Sequence, residues 1–150
     1  MRSYRWAVLT VAIYTTMVTL AGPCPAAKKI HVIVKTVLAS GGQTFIDPEL
    51  SDLAHELQSL FRYSSYRLLG KERLALNLKE QGMVVLPGKR VLKITPTGIH
   101  DKRVELELVI LKKKKRIFET VIQLLNHGRL VVGGPQYKKG ALLFDISSSF

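Results

Sequence analysis

The order of apolar and polar positions divides the chain into an apolar leader, a helix-like segment and a long stretch with a period of two. Between residues 30 and 40, IHVIVKTVLAS, apolar side chains occupy both faces of an extended segment. A strand that is apolar on both faces is typical of the interior of a sheet. Gly41 and Gly42 follow it. We therefore predict a buried strand that ends at this glycine pair.

The next segment predicts an amphipathic helix. Asp47 and Pro48 suit the start of a helix, because aspartate accepts free backbone N–H groups and proline fits the first turn. Apolar residues then recur at spacings of three and four and define one stripe: Leu50, Leu53, Ala54, Leu57, Leu60 and Phe61. The stripe predicts a helix that buries one face.

From Glu72 onward the period changes to two, which predicts a series of short strands. Leu74, Leu76 and Leu78 share the face of the first strand. Further strands are predicted at MVVL, RVLKIT, VELELVIL, IFETVIQLL, RLVVGG and ALLFDIS. The RVLKIT strand is predicted to stop at Pro96. The connections are predicted at Gln81-Gly82, Pro87-Gly88, Gly98 to Lys102, 111–116, Asn126-His127-Gly128 and PQYKKG.

These elements predict an α+β fold. One amphipathic helix packs on a mainly antiparallel sheet, or on a β-sandwich, of about seven to eight short strands, because short connections do not permit parallel crossovers. In the sandwich arrangement the helix is expected to plug one end.

The first residues have the layout of a secretory signal peptide. Arg2 and Arg5 precede an uncharged, mostly apolar run, and small residues and prolines follow it. Cleavage after Ala26 is favoured, which leaves 27–150 as a single domain without a transmembrane span. A lipoprotein-type modification of Cys24 and an uncleaved anchor stay open as alternatives. The signal predicts an exported protein of the periplasm or cell envelope, with an extracellular location also open.

Charge narrows the class of partner. The 150 residues contain 23 basic and 11 acidic side chains, for a formal net charge of +12. Such a balance favours anionic partners, among them nucleic acid, anionic lipid and acidic polymers. Export makes nucleic acid the least favoured of these. Cys24 is the only cysteine, so the sequence predicts neither an intrachain disulfide nor a cysteine metal cluster.

Two basic stretches are the candidate contacts for an anionic partner. The run LKKKKR joins two alternating segments, so we interpret it as a charged hairpin tip. The candidate contacts are Lys112, Lys113, Lys114, Lys115, Arg116, Lys138 and Lys139. A glycine-rich connection next to the second stretch is a candidate ligand loop, with residues Gly133, Gly134 and Tyr137.

No motif calls for catalysis. The four histidines lack metal-ligand spacing, and the G-x-S-x-G nucleophile motif is absent. Glu105 and Glu107 share one face of a predicted strand, where we expect them to face solvent and offset cross-strand lysines. The sequence therefore predicts no catalytic residue, metal or cofactor.

Three stretches, DPELSDLAHELQSLFRYSSYRLL, LPGKRVLKITP and LVVGGPQYKKGALLF, resemble parts of exported bacterial proteins of unknown activity. The resemblance implies no site residue. The sequence favours a small exported binding or adaptor module of the cell envelope with a basic surface. Its partner is expected to be an anionic envelope surface or an envelope protein. Two alternatives stay open: an accessory subunit of a secretion or pilus-type apparatus, and an exported enzyme acting on an anionic envelope polymer.

Overall fold

A computed structural model describes residues 28–150. The predicted signal peptide, its cleavage after Ala26 and the alternative modification of Cys24 lie outside the described residues. Strands account for 66% of the described residues and helices for 8%, so the fold is mainly β rather than the predicted α+β.

The described chain runs through nine strands, a single turn of 3₁₀ helix and one α-helix. The strands are β1 (Ile30–Ser40), β2 (Phe45–Ile46), β3 (Ser65–Leu76), β4 (Gly82–Leu86), β5 (Arg90–His100), β6 (Arg103–Lys112), β7 (Lys115–Leu125), β8 (Arg129–Tyr137) and β9 (Gly140–Ser149). The 3₁₀ turn is Pro48–Leu50 and the helix α1 is Ala54–Leu60.

The strands form two sheets that pack face to face. One has the order β2-β3-β1-β9-β8 and the other the order β4-β5-β6-β7. All pairs are antiparallel except the short pair of β2 with β3. Alternate apolar residues of both sheets, such as Val32 on β1 and Leu106 on β6, share one buried core. Burial of this apolar area is the main stabilising term.

The helical segment covers the outer face of the five-stranded sheet rather than plugging an end. Leu50, Leu53 and Leu57 are buried against Val37 and other outward-facing residues of that sheet. A second, smaller core therefore lies under the helix. Strands β1 and β9 lie between the two cores, because successive residues of each strand point alternately into one core and the other.

The predicted helix is shorter than its apolar stripe. The Asp47 carboxylate does accept the backbone N–H of Glu49 at 3.1 Å, as predicted for a cap. The turns after it use bonds of the 3₁₀ type, such as Leu53 N–H to Leu50 C=O at 2.9 Å, before the α-helix begins at Ala54. Leu60, predicted to be in the stripe, is 59% exposed.

Several predicted strand ends were wrong. Gly82 does not form a turn but begins β4, where a Cβ would lie 2.8 Å from Leu74 Cδ1. Pro96 does not end β5. Its carbonyl accepts the N–H of Lys79 at 2.7 Å, so its missing N–H faces away from β6. β5 therefore continues to His100, with a register shift against β6 between Pro96 and Gly98.

Two predicted connections also differ. Asn126-His127-Gly128 is not a hairpin turn, because β7 belongs to the four-stranded sheet and β8 to the five-stranded sheet. Its positive φ is at His127, 60°, rather than at Gly128. The predicted PQYKKG connection is mostly strand, since β8 continues to Tyr137 through a register shift between Gly133 and Gln136.

Candidate functional site

Three lysine-bearing turns meet at one end of the sandwich. The β4–β5 turn and the β6–β7 turn lie side by side, because Arg90 at the start of β5 pairs with Lys112 at the end of β6. The β8–β9 turn reaches them from the other sheet through Tyr137, which lies against Gly88. We call this region the basic end; its turn residues are Pro87, Gly88, Lys89, Lys113, Lys114, Lys138 and Lys139.

Arg90 connects the two sheets at the basic end. Its Nη2 donates to the Gln136 carbonyl oxygen at 2.9 Å, and its guanidinium carbon lies 5.5 Å from the centre of the Tyr137 ring. Lys138 Nζ lies 5.5 Å from the same ring, so Tyr137 is in contact with two cations. Gly88 permits this packing, because a Cβ there would lie 3.1 Å from Tyr137 Cε2.

The Arg90 guanidinium is a buried charge with few partners. The residue is 9% exposed, and its Nε and Nη1 have no hydrogen-bond partner among the described residues. A buried cation without a counter-charge is costly and attracts an anion. Arg90 therefore adds positive potential beneath the exposed lysines of the turns.

The candidate contacts of the two basic stretches are all exposed at this end. Lys112 and Lys115 pair with each other at the strand ends, and Lys113 and Lys114 form the turn between them. Arg116 differs, because its Nη1 binds the Glu119 carboxylate at 2.7 Å. Within the described residues, the lysines of the three turns take part in no ion pair of 4.0 Å or less. Their charge is thus available to a partner.

Apolar surface lies beside these lysines. An open groove of about 350 Å³ is lined by Leu38, Ser40, Gly140 and the two lysines of the β8–β9 turn. Phe45, at the start of β2, is 40% exposed and carries Arg67 over its ring at 4.7 Å. Val85, two residues before the β4–β5 turn, is 84% exposed. The basic end is therefore amphipathic as well as charged.

The structure separates the three residues of the predicted ligand loop. Gly133 and Gly134 lie within β8, and Gly134 fills a tight position, because a Cβ there would lie 2.4 Å from Phe144 Cε2. Tyr137 is half-buried at the basic end. Of the three residues, Tyr137 alone is next to the basic contacts, and Gly134 has a packing role that its spacing did not reveal.

The histidines and acids that an enzyme would need are placed elsewhere. His100, Asp101, Arg103 and Glu105 line a pocket of about 390 Å³ at the other end of the four-stranded sheet. The Glu105 carboxylate accepts from Thr97 Oγ1 at 2.7 Å and from Gln123 Nε2 at 3.4 Å, and these hydrogen bonds lower its pKa. A carboxylate held in its ionised form suits ligand contact better than general-acid catalysis.

The predicted cross-strand pairing of these acids with lysine was wrong for Glu105, whose partners are Thr97 and Gln123. His31 and His127 line a second pocket of about 230 Å³ with Ser147, Ser148 and Ser149. Among the described residues, no group of three or more histidine, cysteine or acidic side chains is placed to hold a metal ion.

A charged cluster holds the helical segment to the sheet. Arg129 Nη1 donates to Asp52 at 2.8 Å and lowers the pKa of that carboxyl, and Lys35 Nζ lies 3.6 Å from Asp52 Oδ1. Beneath them Asp145 is 4% exposed, and its burial raises the pKa of its carboxyl. These ion pairs join the helical segment to β1, β8 and β9, so we assign the cluster to packing.

Arg90 was absent from the predicted site. Its position in the alternation of the strand could have identified it, because Arg90 shares a strand face with Leu92 and Ile94, both of which are buried. An arginine in phase with core residues next to a Pro-Gly turn indicates a buried charge near a sheet end. Phe45 and Val85 gave no sequence signal, because single apolar residues near turns are common.

Comparisons with known proteins did not relate the chain to a family. No protein-family model matches the chain, and neither the curated proteins nor the solved structures that were searched contain a match. Neither helical segment of residues 28–150 has the length and hydropathy to cross a membrane.

Proposed function

We propose that the chain is an exported binding module of the cell envelope that takes an anionic partner on its basic end. The observation that carries the proposal is the convergence of three turns from two sheets. Together they present Lys89, Lys113, Lys114, Lys138 and Lys139 and no acidic residue. Charges gathered on one surface raise the local concentration of an anionic partner more than the same charges spread over the molecule.

The lysines of these turns lie in a backbone conformation that favours other residues. Lys89, Lys113, Lys114 and Lys138 all have positive φ, between 49° and 65°. Glycine or asparagine adopts this conformation at lower cost, since the left-handed region costs most other residues about 1 kcal/mol. Lysine is thus not the residue that the turns themselves favour.

A soluble polyanion provides the direct test. Binding of polyphosphate is measured in about 0.1 M salt for the wild-type chain and for a variant with Lys113, Lys114, Lys138 and Lys139 replaced by serine. We expect this variant to bind at least about tenfold more weakly, and with a smaller dependence on salt.

The matched control removes the same number of lysines elsewhere, at Lys28, Lys29, Lys79 and Lys102. It has the same net charge as the first variant but keeps the basic end. Equal loss of binding in the two variants contradicts the proposal, because net charge rather than the basic end then controls binding.

A second candidate, an accessory subunit of an envelope apparatus, is favoured by the edges of the four-stranded sheet. Within the described residues β4 pairs only with β5, and β7 only with β6. Val121 and Leu125 on β7 are 55% and 53% exposed. A free edge with apolar neighbours accepts a strand from a partner. Slow amide exchange along β7 in the isolated chain, equal to that along β6, is the result that contradicts a free edge.

A further inference from the structure

We infer that the anionic partner of the basic end is the surface of a lipid bilayer that contains anionic lipid. The inference rests on the proposed function, because it identifies the partner of the same site. A soluble polyanion needs only the lysines. The exposed apolar side chains and the groove that accompany them have no role in such a contact.

The apolar residues surround the turns on different strands. Phe45 begins β2 beside Ser65, which pairs with Ser40 at the end of β1. Val85 lies on the outer face of β4, and Ile117, 41% exposed, lies on β7 just after the lysine turn. Val85 and Ile117 lie within three residues of the turns, or about 10 Å along a strand. Phe45 reaches the same end laterally, because Ser65 beside it pairs with Ser40, and Ser40 pairs with Gly140 at the β8–β9 turn. These side chains meet lipid headgroups when the tips of the turns enter the headgroup layer of a bilayer.

The groove between the strands adds a second apolar element. Leu38, Lys138 and Lys139 are among the residues that line it. A lining that combines an apolar side chain with cations matches a molecule that has an anionic head and a hydrocarbon body. Phe45 and its neighbour Arg67 repeat this combination on the other side of β1 and β3.

Charge supports a bilayer over an uncharged apolar partner. Near an anionic surface each lysine strengthens binding by about fivefold, because it contributes about 1 kcal/mol. The turns place their lysines around one sandwich end, where a flat surface can meet several of them together. One acidic residue near them, Glu119, is already bound to Arg116.

The test compares vesicles with a soluble polyanion. Co-sedimentation is measured with neutral phosphatidylcholine vesicles and with vesicles that contain about 30% phosphatidylglycerol, and polyphosphate binding is measured in parallel. We expect the wild-type chain to bind the anionic vesicles and not the neutral ones. We also expect part of the vesicle binding to persist at a salt concentration that abolishes polyphosphate binding.

The decisive variant is Phe45→Ser with Val85→Ser. Both side chains are exposed, so the fold tolerates the change. Vesicle binding is expected to fall roughly tenfold, and polyphosphate binding is expected to stay the same. The matched control is Val121→Ser with Leu125→Ser, which removes exposed apolar area farther from the basic end. It is expected to leave vesicle binding unchanged.

The outcomes separate the two proposals. If the chain binds polyphosphate but not anionic vesicles, the bilayer inference is overturned and the proposed function stands. The same holds if the Phe45 and Val85 variant and its control lose vesicle binding equally. If the chain binds neither probe, the proposed function is overturned too. If the double variant loses far-ultraviolet ellipticity, and is therefore unfolded, the milder variant Val85→Thr replaces it. Its vesicle binding is also expected to be weaker than that of the wild-type chain.

Discussion

The two turns at either end of β6 share one backbone conformation and differ in charge. Asp101 and Lys102 have φ values of 47° and 66°, and Lys113 and Lys114 have values of 49° and 65°. Aspartate tolerates this region because its side chain can bond locally, whereas lysine gains nothing comparable. Two consecutive left-handed residues suffice to reverse the chain at both places. The need to reverse the chain therefore does not explain why one turn contains two lysines and the other contains one aspartate and one lysine, with no net charge.

The largest expected difference between the two ends is in the loss of stability when a glycine that lies close to backbone atoms is replaced by alanine. A Cβ on Gly140, at the basic end, would lie 2.0 Å from the Ala39 carbonyl oxygen, whereas one on Gly128, at the opposite end, would lie 2.8 Å from the Leu125 carbonyl oxygen. We expect Gly140→Ala to lower the free energy of unfolding by about 3 kcal/mol and Gly128→Ala by about 1–2 kcal/mol. Urea denaturation measures both. A larger loss for Gly128→Ala contradicts the stated geometry of the ends.

Arg90 offers a test of packing against charge. Arg90→Ala removes a buried aliphatic stem, the guanidinium that lies on Tyr137 and the hydrogen bond to Gln136, so we expect a loss of about 2 kcal/mol in unfolding free energy. Arg90→Met keeps the stem and removes a buried charge, so its loss is expected to stay below about 1 kcal/mol. Both variants should bind polyphosphate more weakly. Arg103→Ala, an exposed arginine at the other end, is the control and is expected to change neither quantity.

Exchanging turn residues separates backbone cost from charge. Lys113→Asn with Lys114→Gly places a favoured pair in the turn, and we expect a gain of about 1 kcal/mol in unfolding free energy. Asp101→Asn with Lys102→Gly should give a similar gain at the other end of β6. Only the first exchange is expected to weaken polyphosphate binding. Equal weakening by both exchanges contradicts the assignment of binding to one end.

The smallest expected effect is the change in stability on acid titration of Glu105, which lies at the end of the sandwich opposite the basic end. Hydrogen bonds lower the pKa of Glu105 below its ordinary value of 4.5. Its contribution to stability is therefore present above about pH 4.5 and is lost as the pH falls through the lowered pKa. The deficit of Glu105→Gln in urea unfolding should be visible near pH 7 and shrink near pH 3. Lys114→Ser is the control, because it removes no carboxylate. A deficit of Glu105→Gln that grows in acid contradicts this account.

The sequence predicted the charged hairpin tip because the signal is local. VELELVIL alternates with Val104, Leu106, Leu108 and Ile110 buried, and only a short basic run separates it from the next strand. Gly82 and Pro96 were misassigned for the opposite reason. Whether a glycine or proline ends a strand depends on the strand beside it, here on Leu74 and on the Lys79 N–H. Such neighbours are distant in sequence.

The alternation of apolar and polar residues did not indicate which strands belong to which of the two sheets. A period of two identifies the face on which a side chain lies but not the partner of the strand. β1 pairs with β3 and with β9, the last strand of the chain. The basic end follows from this partition, because it brings Lys138 and Lys139 beside the turn that contains Lys89. The sequence therefore does not predict their convergence, although it predicts the lysines of both basic runs as contacts.

The paths of the first and last strands have a practical consequence for experiments. Ile30 pairs with Leu76 and His31 with Ser149, so β1 begins and β9 ends away from the lysine turns. The backbone N–H of Phe150 donates to Asn126 Oδ1 at 2.9 Å, which fixes Phe150 on the side of the sandwich opposite the basic end. A biotin or fluorophore attached after Phe150 would therefore point away from the binding surface. A sensor chip loaded through that attachment would present every molecule in one productive orientation.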